Sequence, residues 1–189
     1  MMRQFEGITG RLLEIGAYDG TASSISAPLI EAGWSAVLVE PASKPFGRLL
    51  DKYAGNERVS LVHAAVLPDG GLVKFWETET LHYDQLSSTV DGFCHGWGVK
   101  GREYLVSAVS VADLLARFDA NSFDLVIVDA EGVSVRITKM LPLAEMARTK
   151  VICVESDSGR ACAQDAVAAI EPWYDVEVMF PNAIGVRRA

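Results

Sequence analysis

Two carboxylates follow the most apolar run of the sequence at a spacing that suits proton transfer or cation binding. The run FDLVIV ends at Val128, and Asp129, Ala130, Glu131 and Gly132 come next. Residues two apart in extended backbone face the same side, so Asp129 and Glu131 should share one site. Such a pair can orient a hydroxyl, accept its proton or hold a divalent cation. The competing interpretation is that Glu131 caps the following helix.

A glycine-bounded turn, EIGAYDG at 14–20, follows the first predicted strand. Glycines between a strand and a helix let the backbone approach a ligand closely. The dinucleotide fingerprint needs a second glycine two residues after the first, but Ala17 and Tyr18 follow Gly16. This departure disfavours a nicotinamide oxidoreductase and favours a turn around an amino-acid moiety, although a plain strand-to-helix turn has the same pattern.

Glu40 ends the second predicted strand and is followed by Pro41. In nucleotide-binding α/β folds, an acidic residue at about this distance from the first turn accepts hydrogen bonds from a ribose diol. Two vicinal hydroxyls match the two oxygens of one carboxylate. A surface glutamate at a strand end is the simpler alternative.

The longest irregular segment runs from Thr78 to Gly101 and contains His82, Ser87–Ser88, His95 and Trp97. Irregular loops of this length in a compact domain are usually lids or binding loops. We therefore expect substrate contacts here, with His95 as a candidate contact and both histidines as candidate bases. Solvated loop histidines are the alternative.

These residues must be positioned by a sheet, because short apolar runs alternate with helix-like stretches. The pattern predicts an α/β fold with a doubly wound, mostly parallel sheet, helices on both faces and an antiparallel strand at the end. Strands are predicted at 11–15, 35–40, 58–66, 72–77, 103–109, 123–132 and 150–155, and helices at 21–33, 44–55, 110–118, near 134–147 and near 159–170. We expect a single domain over 1–189, with an inserted loop and strand region at about 72–109.

The amino-acid composition disfavours some classes of binding partner. The chain has 189 residues, of which 50% are hydrophobic, and its 17 basic and 25 acidic residues give a net charge of −8. A negative surface repels phosphate backbones, which disfavours nucleic acid. No apolar run approaches membrane-spanning length, and the start MMRQFEGITG lacks a signal-like apolar region. Three cysteines form no metal-ligand pattern, so we expect a cytoplasmic protein with no membrane span and with Cys153 in the core.

Seven stretches occur in the order and spacing of the FkbM-type methyltransferases: LLEIGAYDGTASS, VLVEP, HAAVLPDGG, LSSTV, VSVADLL, FDLVIVDAEGVSVRITKML and VICVE. The resemblance covers nearly everything from Arg11 to Glu155, and DAEG after an apolar strand is its most specific part. It implies a class I, Rossmann-like fold and S-adenosylmethionine as cofactor. It also implies O-methylation of a hydroxyl on a sugar, a polyketide or a similar small metabolite.

The resemblance also implies roles for individual residues. Cofactor contacts fall on Glu14, Gly16, Ala17, Tyr18, Asp19 and Gly20 around the methionine part, on Glu40 and Pro41 at the ribose, and on His63 and Ala64 at the adenine. Asp129 and Glu131 would line the transfer site and hold any divalent cation, while Ser87 and Ser88 match a serine pair of the family. Asp19 stands where the family mostly has Asn, and Ser134 replaces a Glu.

Two other functions remain open from the sequence. An N-methyltransferase acting on protein or RNA would have aromatic or Asn-Pro stacking residues where this chain has Ala130 and Glu131. The second open function is a non-catalytic cofactor-binding module that needs a partner. It is considered because the sequence begins close to its first strand, so that an N-terminal substrate cap is not expected. The expected partner of the favoured function is a small acceptor with a hydroxyl.

Overall fold

The computed structural model of the chain describes Phe5 and residues 7–21, 24–78, 86–92, 98–156 and 159–188. The strands are β1 (Arg11–Ile15), β2 (Ser35–Val39), β3 (Val59–Val62), β4 (Ala65–Val66), β5 (Gly71–Thr78), β6 (Gly101–Val109), β7 (Leu125–Val128), β8 (Val151–Glu155), β9 (Tyr174–Met179) and β10 (Asn182–Arg187). The helices are α1 (Ser26–Glu31), α2 (Ser43–Lys52), α3 (Val111–Phe118), α4 (Ser134–Met140) and α5 (Gly159–Ile170).

The larger sheet has seven strands in the order β3-β2-β1-β7-β8-β10-β9. The five from β3 to β8 run parallel, and β10 is antiparallel to both of its neighbours. The chain moves outward from β1 to β3 and then returns to place β7 on the other side of β1. This reversal creates a switch point between β1 and β7, where ligands of open α/β sheets bind. The predicted doubly wound sheet is confirmed.

Alternating side chains of the central strands form two cores, one on each face of the sheet. Leu13 and Val126 pack on the face covered by α3, α4 and α5. Leu12 and Leu125 pack on the opposite face, which α1 and α2 cover. All four residues of β7 are buried, so its continuous apolar run reflects burial on both faces, as expected for an inner parallel strand.

A second sheet has three strands in the order β4-β6-β5; β5 and β6 come from the region at about 72–109, whereas β4 precedes it. The apolar run 58–66, predicted as one strand, divides here. Residues 59–62 pair with β2, whereas Ala65 and Val66 pair with the end of β6. Hydrophobic pattern indicates extended backbone but does not specify the partner strand, so the break at His63 and Ala64 was not predicted.

The helices agree with prediction in position more than in length. Ser110 accepts a hydrogen bond from the Asp113 amide at 3.0 Å and so caps α3 at the start of the predicted helix 110–118. The predicted helix at 134–147 ends at Met140, because Leu141 precedes Pro142 and a residue before proline disfavours helical backbone. The predicted helix 21–33 is regular only over α1, and Pro28 lies in its first turn.

Cys153 lies in β8 with 1% of its surface exposed, which confirms its predicted place in the core. Burial raises the pKa of its thiol to about 12, so the thiol stays protonated and unreactive near neutral pH. Within the described ranges, no helix is both long and apolar enough to cross a membrane.

Candidate active site

A cavity of about 250 Å³ opens at the carboxyl ends of β1, β2, β7 and β8. Most residues predicted for the site line it: Glu14, Gly16, Ala17, Tyr18, Glu40, Pro41, Ala64, Ser87, Ser88, Asp129 and Glu131. Their strand ends adjoin one another because β2 and β7 flank β1 in the sheet. The cavity therefore occupies the switch point.

The turn after β1 is packed so closely against the end of β7 that only glycine fits at its start. Gly16 has a φ of +89°, and a Cβ atom there would lie 1.6 Å from the carbonyl oxygen of Asp129. The Gly16 and Ala17 amides both donate to the carbonyl of Val39 at the end of β2, at 2.9 and 3.0 Å. The turn thus joins the ends of three strands around the cavity.

The amides of this turn are directed at the protein itself. Each of five donates to a protein oxygen: Gly16, Ala17, Tyr18, Gly20 and Thr21. A pyrophosphate site needs a row of amides that point at the ligand. The turn does not offer such a row, which agrees with the missing second glycine of the dinucleotide fingerprint.

Glu40 follows β2 and is only 6% exposed. Its Oε2 accepts from the Tyr18 amide at 2.9 Å, and its Oε1 accepts from the Ala42 amide at 2.7 Å. These two bonds fix the carboxylate at the cavity wall. A carboxylate held at the wall of a cavity can accept hydrogen bonds from paired hydroxyls of a ligand, one to each oxygen.

Glu14 lies in β1 at the base of the cavity and is 5% exposed. The Ser26 hydroxyl, in α1, donates to its Oε2 at 2.5 Å. Burial raises the pKa of Glu14 to about 8; the hydrogen bond from Ser26 opposes this rise and the nearby Asp129 carboxylate adds to it. The carboxyl group is therefore mostly protonated at neutral pH, and a cation bound beside it would favour its ionised form.

Three carboxylates gather on the β7–β8 side: oxygens of Asp129, Glu131 and Glu155 all lie within 4.8 Å of one another. The structure thus brings the predicted pair together. The N-cap position of α4 is occupied by Val133, so neither carboxylate of the pair stands at the cap. Three carboxylates at this spacing could act on a hydroxyl or coordinate a divalent cation.

Glu155 was not among the predicted site residues. It ends β8 and lines the cavity because β8 lies directly beside β7. The sequence did hold a signal, since the strand KVICVE ends in an acidic residue just as SAVLVE ends in Glu40. Ser24, Phe75 and Thr89 also line the cavity and were likewise missed.

The two predicted serines line the cavity, and both make hydrogen bonds to the protein backbone. The Ser88 hydroxyl donates to the Glu131 carbonyl at 2.5 Å, and the Ser87 hydroxyl accepts from the Thr78 amide at 3.2 Å. Ser134 accepts from the Ala130 amide at 2.8 Å. These serines connect loops around the acidic cluster.

Two predicted residues of the first turn do not line the cavity. Asp19 accepts from the amide and hydroxyl of Thr21 and pairs with Arg48 of α2 at 3.3 Å. Gly20 lies against α2, where an added Cβ would be 2.8 Å from a Leu49 methyl carbon. Both residues thus hold the turn against α2.

His63, predicted beside the adenine, is exposed and stacks on Phe46 with ring centroids 4.3 Å apart. It does not line the cavity, although its neighbour Ala64 does. His95, together with His82 and Trp97, falls outside the described residues.

No protein-family model matches the sequence, and no curated protein matches it. Solved structures do match. The chain is similar to the methyltransferase FkbM from Methylobacillus flagellatus KT, with a TM-score of 0.59 and 11% identity over 94% of this chain and 43% of that one. It is also similar to the precorrin-6y C5,15-methyltransferase of Geobacter metallireducens GS-15, with a TM-score of 0.53 and 14% identity over 99% and 85% of the two chains.

A third match is monomeric WbdD, with a TM-score of 0.53 and 12% identity over 98% of this chain and 38% of that one. The chain spans less than half the length of the FkbM and WbdD chains it matches. At these identities the likeness establishes the fold, which is the Rossmann-like fold of class I methyltransferases.

Proposed function

We propose that the chain is an S-adenosylmethionine-dependent methyltransferase that methylates a hydroxyl of a sugar, a polyketide or a similar small metabolite. The observation that carries this proposal is that one cavity, at the switch point, has carboxylates on both sides of β1. Glu40, suited to a ribose diol, follows β2, whereas Asp129 and Glu131 follow β7 on the other side of β1. FkbM-type sequence motifs and the class I fold support the same assignment.

The cavity residues fit this cofactor better than a dinucleotide. The amides of the first turn are directed at protein oxygens, so a pyrophosphate would find no row of donors there. Glu40 offers a carboxylate fixed at the cavity wall for a ribose diol, and Glu14 offers a buried carboxyl group for a cation. These are the partners that the ribose and the positively charged methionine part require.

S-adenosylmethionine, when bound, supplies an electrophilic methyl group on a sulfonium sulfur. The protein then has to hold the acceptor hydroxyl in line and take its proton. Asp129 and Glu131 are the proposed groups: one carboxylate accepts the proton while the other orients the hydroxyl. A divalent cation held by the same carboxylates, with Glu155 as a third ligand, would instead bind the hydroxyl oxygen and favour loss of its proton.

The cofactor can be tested without knowing the acceptor. S-adenosylhomocysteine should raise the melting temperature of the purified chain, because a ligand that binds only the folded state stabilises it, and NAD should not. Stabilisation by NAD alone would overturn the proposal.

Identifying the acceptor requires a methyl-transfer experiment. The chain is incubated with methyl-labelled S-adenosylmethionine and either a small-metabolite extract or a pool of protein and RNA. Label in a small hydroxyl compound is expected. Label only in the macromolecules would favour an N-methyltransferase, and cofactor binding without any transfer would favour a module that needs a partner.

A further inference from the structure

Ser26, the first residue of α1, contacts the cavity only through another side chain. It is completely buried, and its hydroxyl donates to Oε2 of Glu14 at 2.5 Å. Glu14 lines the cavity, whereas Ser26 does not. Any effect of the Ser26 hydroxyl on a bound ligand must therefore pass through the carboxyl group of Glu14.

A row of two hydroxyls leads from the backbone of α1 to this carboxyl group. A serine hydroxyl has one proton to donate, and Ser26 uses it on Glu14. In the 3.2 Å contact between the hydroxyl oxygens of Ser24 and Ser26, Ser24 is therefore the donor. The Ser24 oxygen in turn accepts from the Ala27 amide at 3.1 Å. Each bond polarises the next, which strengthens the last one, on Glu14.

The carboxyl group of Glu14 depends on this bond for a single orientation. Pairing of β1 with β2 and β7 fixes its backbone, but the terminal torsion of a glutamate side chain has broad minima. Among the described residues, the Ser26 hydroxyl is the hydrogen-bond donor to this group. Three other titratable groups interact with it electrostatically and donate no hydrogen bond to it: Asp129 after β7, Tyr53 after α2 and Cys153 in β8.

We infer that Ser26 is a positioning residue, whose hydroxyl holds one oxygen of Glu14 and thereby keeps the carboxyl group in one orientation at the cavity wall. Its consequence for ligand binding rests on the proposed function, in which Glu14 meets the positively charged methionine part of the cofactor. The bond itself belongs to the chain alone, so it can be tested without a ligand.

The carboxyl group of Glu14 can be followed by NMR of the chain labelled with ¹³C at the glutamate carboxyl carbon. Glu14→Gln identifies the Glu14 resonance by its disappearance. Ser26→Ala should shift that resonance and raise the midpoint of its pH titration, because a hydrogen bond that favours the ionised form is lost. If Ser26→Ala does not fold, Ser26→Cys replaces the hydroxyl with a weak donor and should move the midpoint in the same direction.

Ser156→Ala is the matched control. It removes a similarly buried serine hydroxyl, whose bond is to the Pro181 carbonyl at 2.6 Å and which does not line the cavity. The Glu14 resonance and its midpoint should stay unchanged in this variant.

Affinity for S-adenosylhomocysteine, measured by calorimetry, separates positioning from a purely structural role. Ser26→Ala should weaken binding by about three- to tenfold, the effect of roughly one hydrogen bond. In a chain that already carries Glu14→Gln, the same change should weaken binding by no more than about twofold, because the group that Ser26 positions is gone. A serine that only stabilises the packing of α1 would weaken binding equally in both chains.

An unchanged Glu14 resonance and midpoint in Ser26→Ala would overturn the inference, as would equal losses of affinity in the two chains. Failure of the unaltered chain to bind S-adenosylhomocysteine would instead count against the proposed function, because the resonance test needs no ligand.

Discussion

Glu14 should make the chain less stable as the pH rises from about 4.5 to about 8. A glutamate in the unfolded chain ionises near 4.5, whereas burial raises the pKa of Glu14 in the folded chain to about 8. Between these values the folded chain binds one proton that the unfolded chain has lost. Each rise in pH therefore favours the unfolded chain. The stabilisation is complete below 4.5 and is lost as the pH passes through 8.

The size of the effect follows from the width of this window. One pH unit corresponds to about 1.4 kcal/mol for a single proton. Over the interval from 4.5 to about 8, the free energy of unfolding should fall by on the order of 5 kcal/mol. This figure is an upper limit, because any relaxation that lets water reach the carboxylate reduces it.

Glu14→Gln tests this directly, since the amide keeps the volume and can hydrogen-bond to Ser26 but does not titrate. Urea unfolding at several pH values should show that the free energy of unfolding falls more steeply with pH for the unaltered chain than for Glu14→Gln. Glu145→Gln, the same change at an exposed position, should retain the slope. Parallel curves for the unaltered chain and Glu14→Gln would refute the assignment of a protonated Glu14.

Ligand binding gives a second measurement on the same residue. S-adenosylhomocysteine carries an ammonium group, and a cation near Glu14 favours the carboxylate over the acid. Calorimetry at pH 7 in buffers of different ionisation enthalpy should therefore detect release of up to about one proton on binding. Glu14→Gln should abolish this release, and an equal release from both proteins would place the ionising group elsewhere.

Three further changes test the rest of the site. Gly16→Ala should lower the free energy of unfolding by roughly 2 kcal/mol or more in urea unfolding, because residue 16 has a positive φ and its new Cβ would meet the end of β7. The control Gly47→Ala should not destabilise the chain, since there is open space around a Cβ at position 47. Glu40→Ala should weaken S-adenosylhomocysteine binding by roughly 1–3 kcal/mol in calorimetry, and unchanged affinity would place the ribose elsewhere. Asp129→Asn and Glu131→Gln should retain cofactor affinity but lower turnover on the order of 10²-fold, and full activity with a lower melting temperature would show a merely structural role.

The central strands could be predicted because their sequences leave little choice. A run such as LVIV in β7 can be buried on both faces only inside a parallel sheet with helices on each side, and both β1 and α5 have the predicted bounds. The role of Gly16 could also be predicted, since a glycine directly after a strand indicates that another backbone segment or a ligand comes close there. At such positions the local sequence pattern and the tertiary environment favour the same structure.

Pairing between distant segments could not be read in this way. Ala65 and Val66 are as apolar as the residues before them, yet they leave the large sheet and pair with β6. Ser26 reads as an ordinary helix residue, but its position opposite Glu14 makes it the hydrogen-bond partner of a buried acid. Such contacts depend on how α1 packs against β1. Hydrophobic periodicity predicts that a helix has one apolar face, but it does not predict which strand that face packs against.

Glu155 shows why the acceptor side of the site is harder to predict than the cofactor side. The proposed cofactor residues that line the cavity, Glu14 to Tyr18 and Glu40, come from consecutive elements, so one βαβ unit brings them together whatever the rest of the chain does. Glu155 faces Asp129 only because β8 is inserted beside β7 rather than at the outer edge. Its place among the carboxylates is therefore a consequence of strand order. A change of strand order would separate these groups without altering a single local motif.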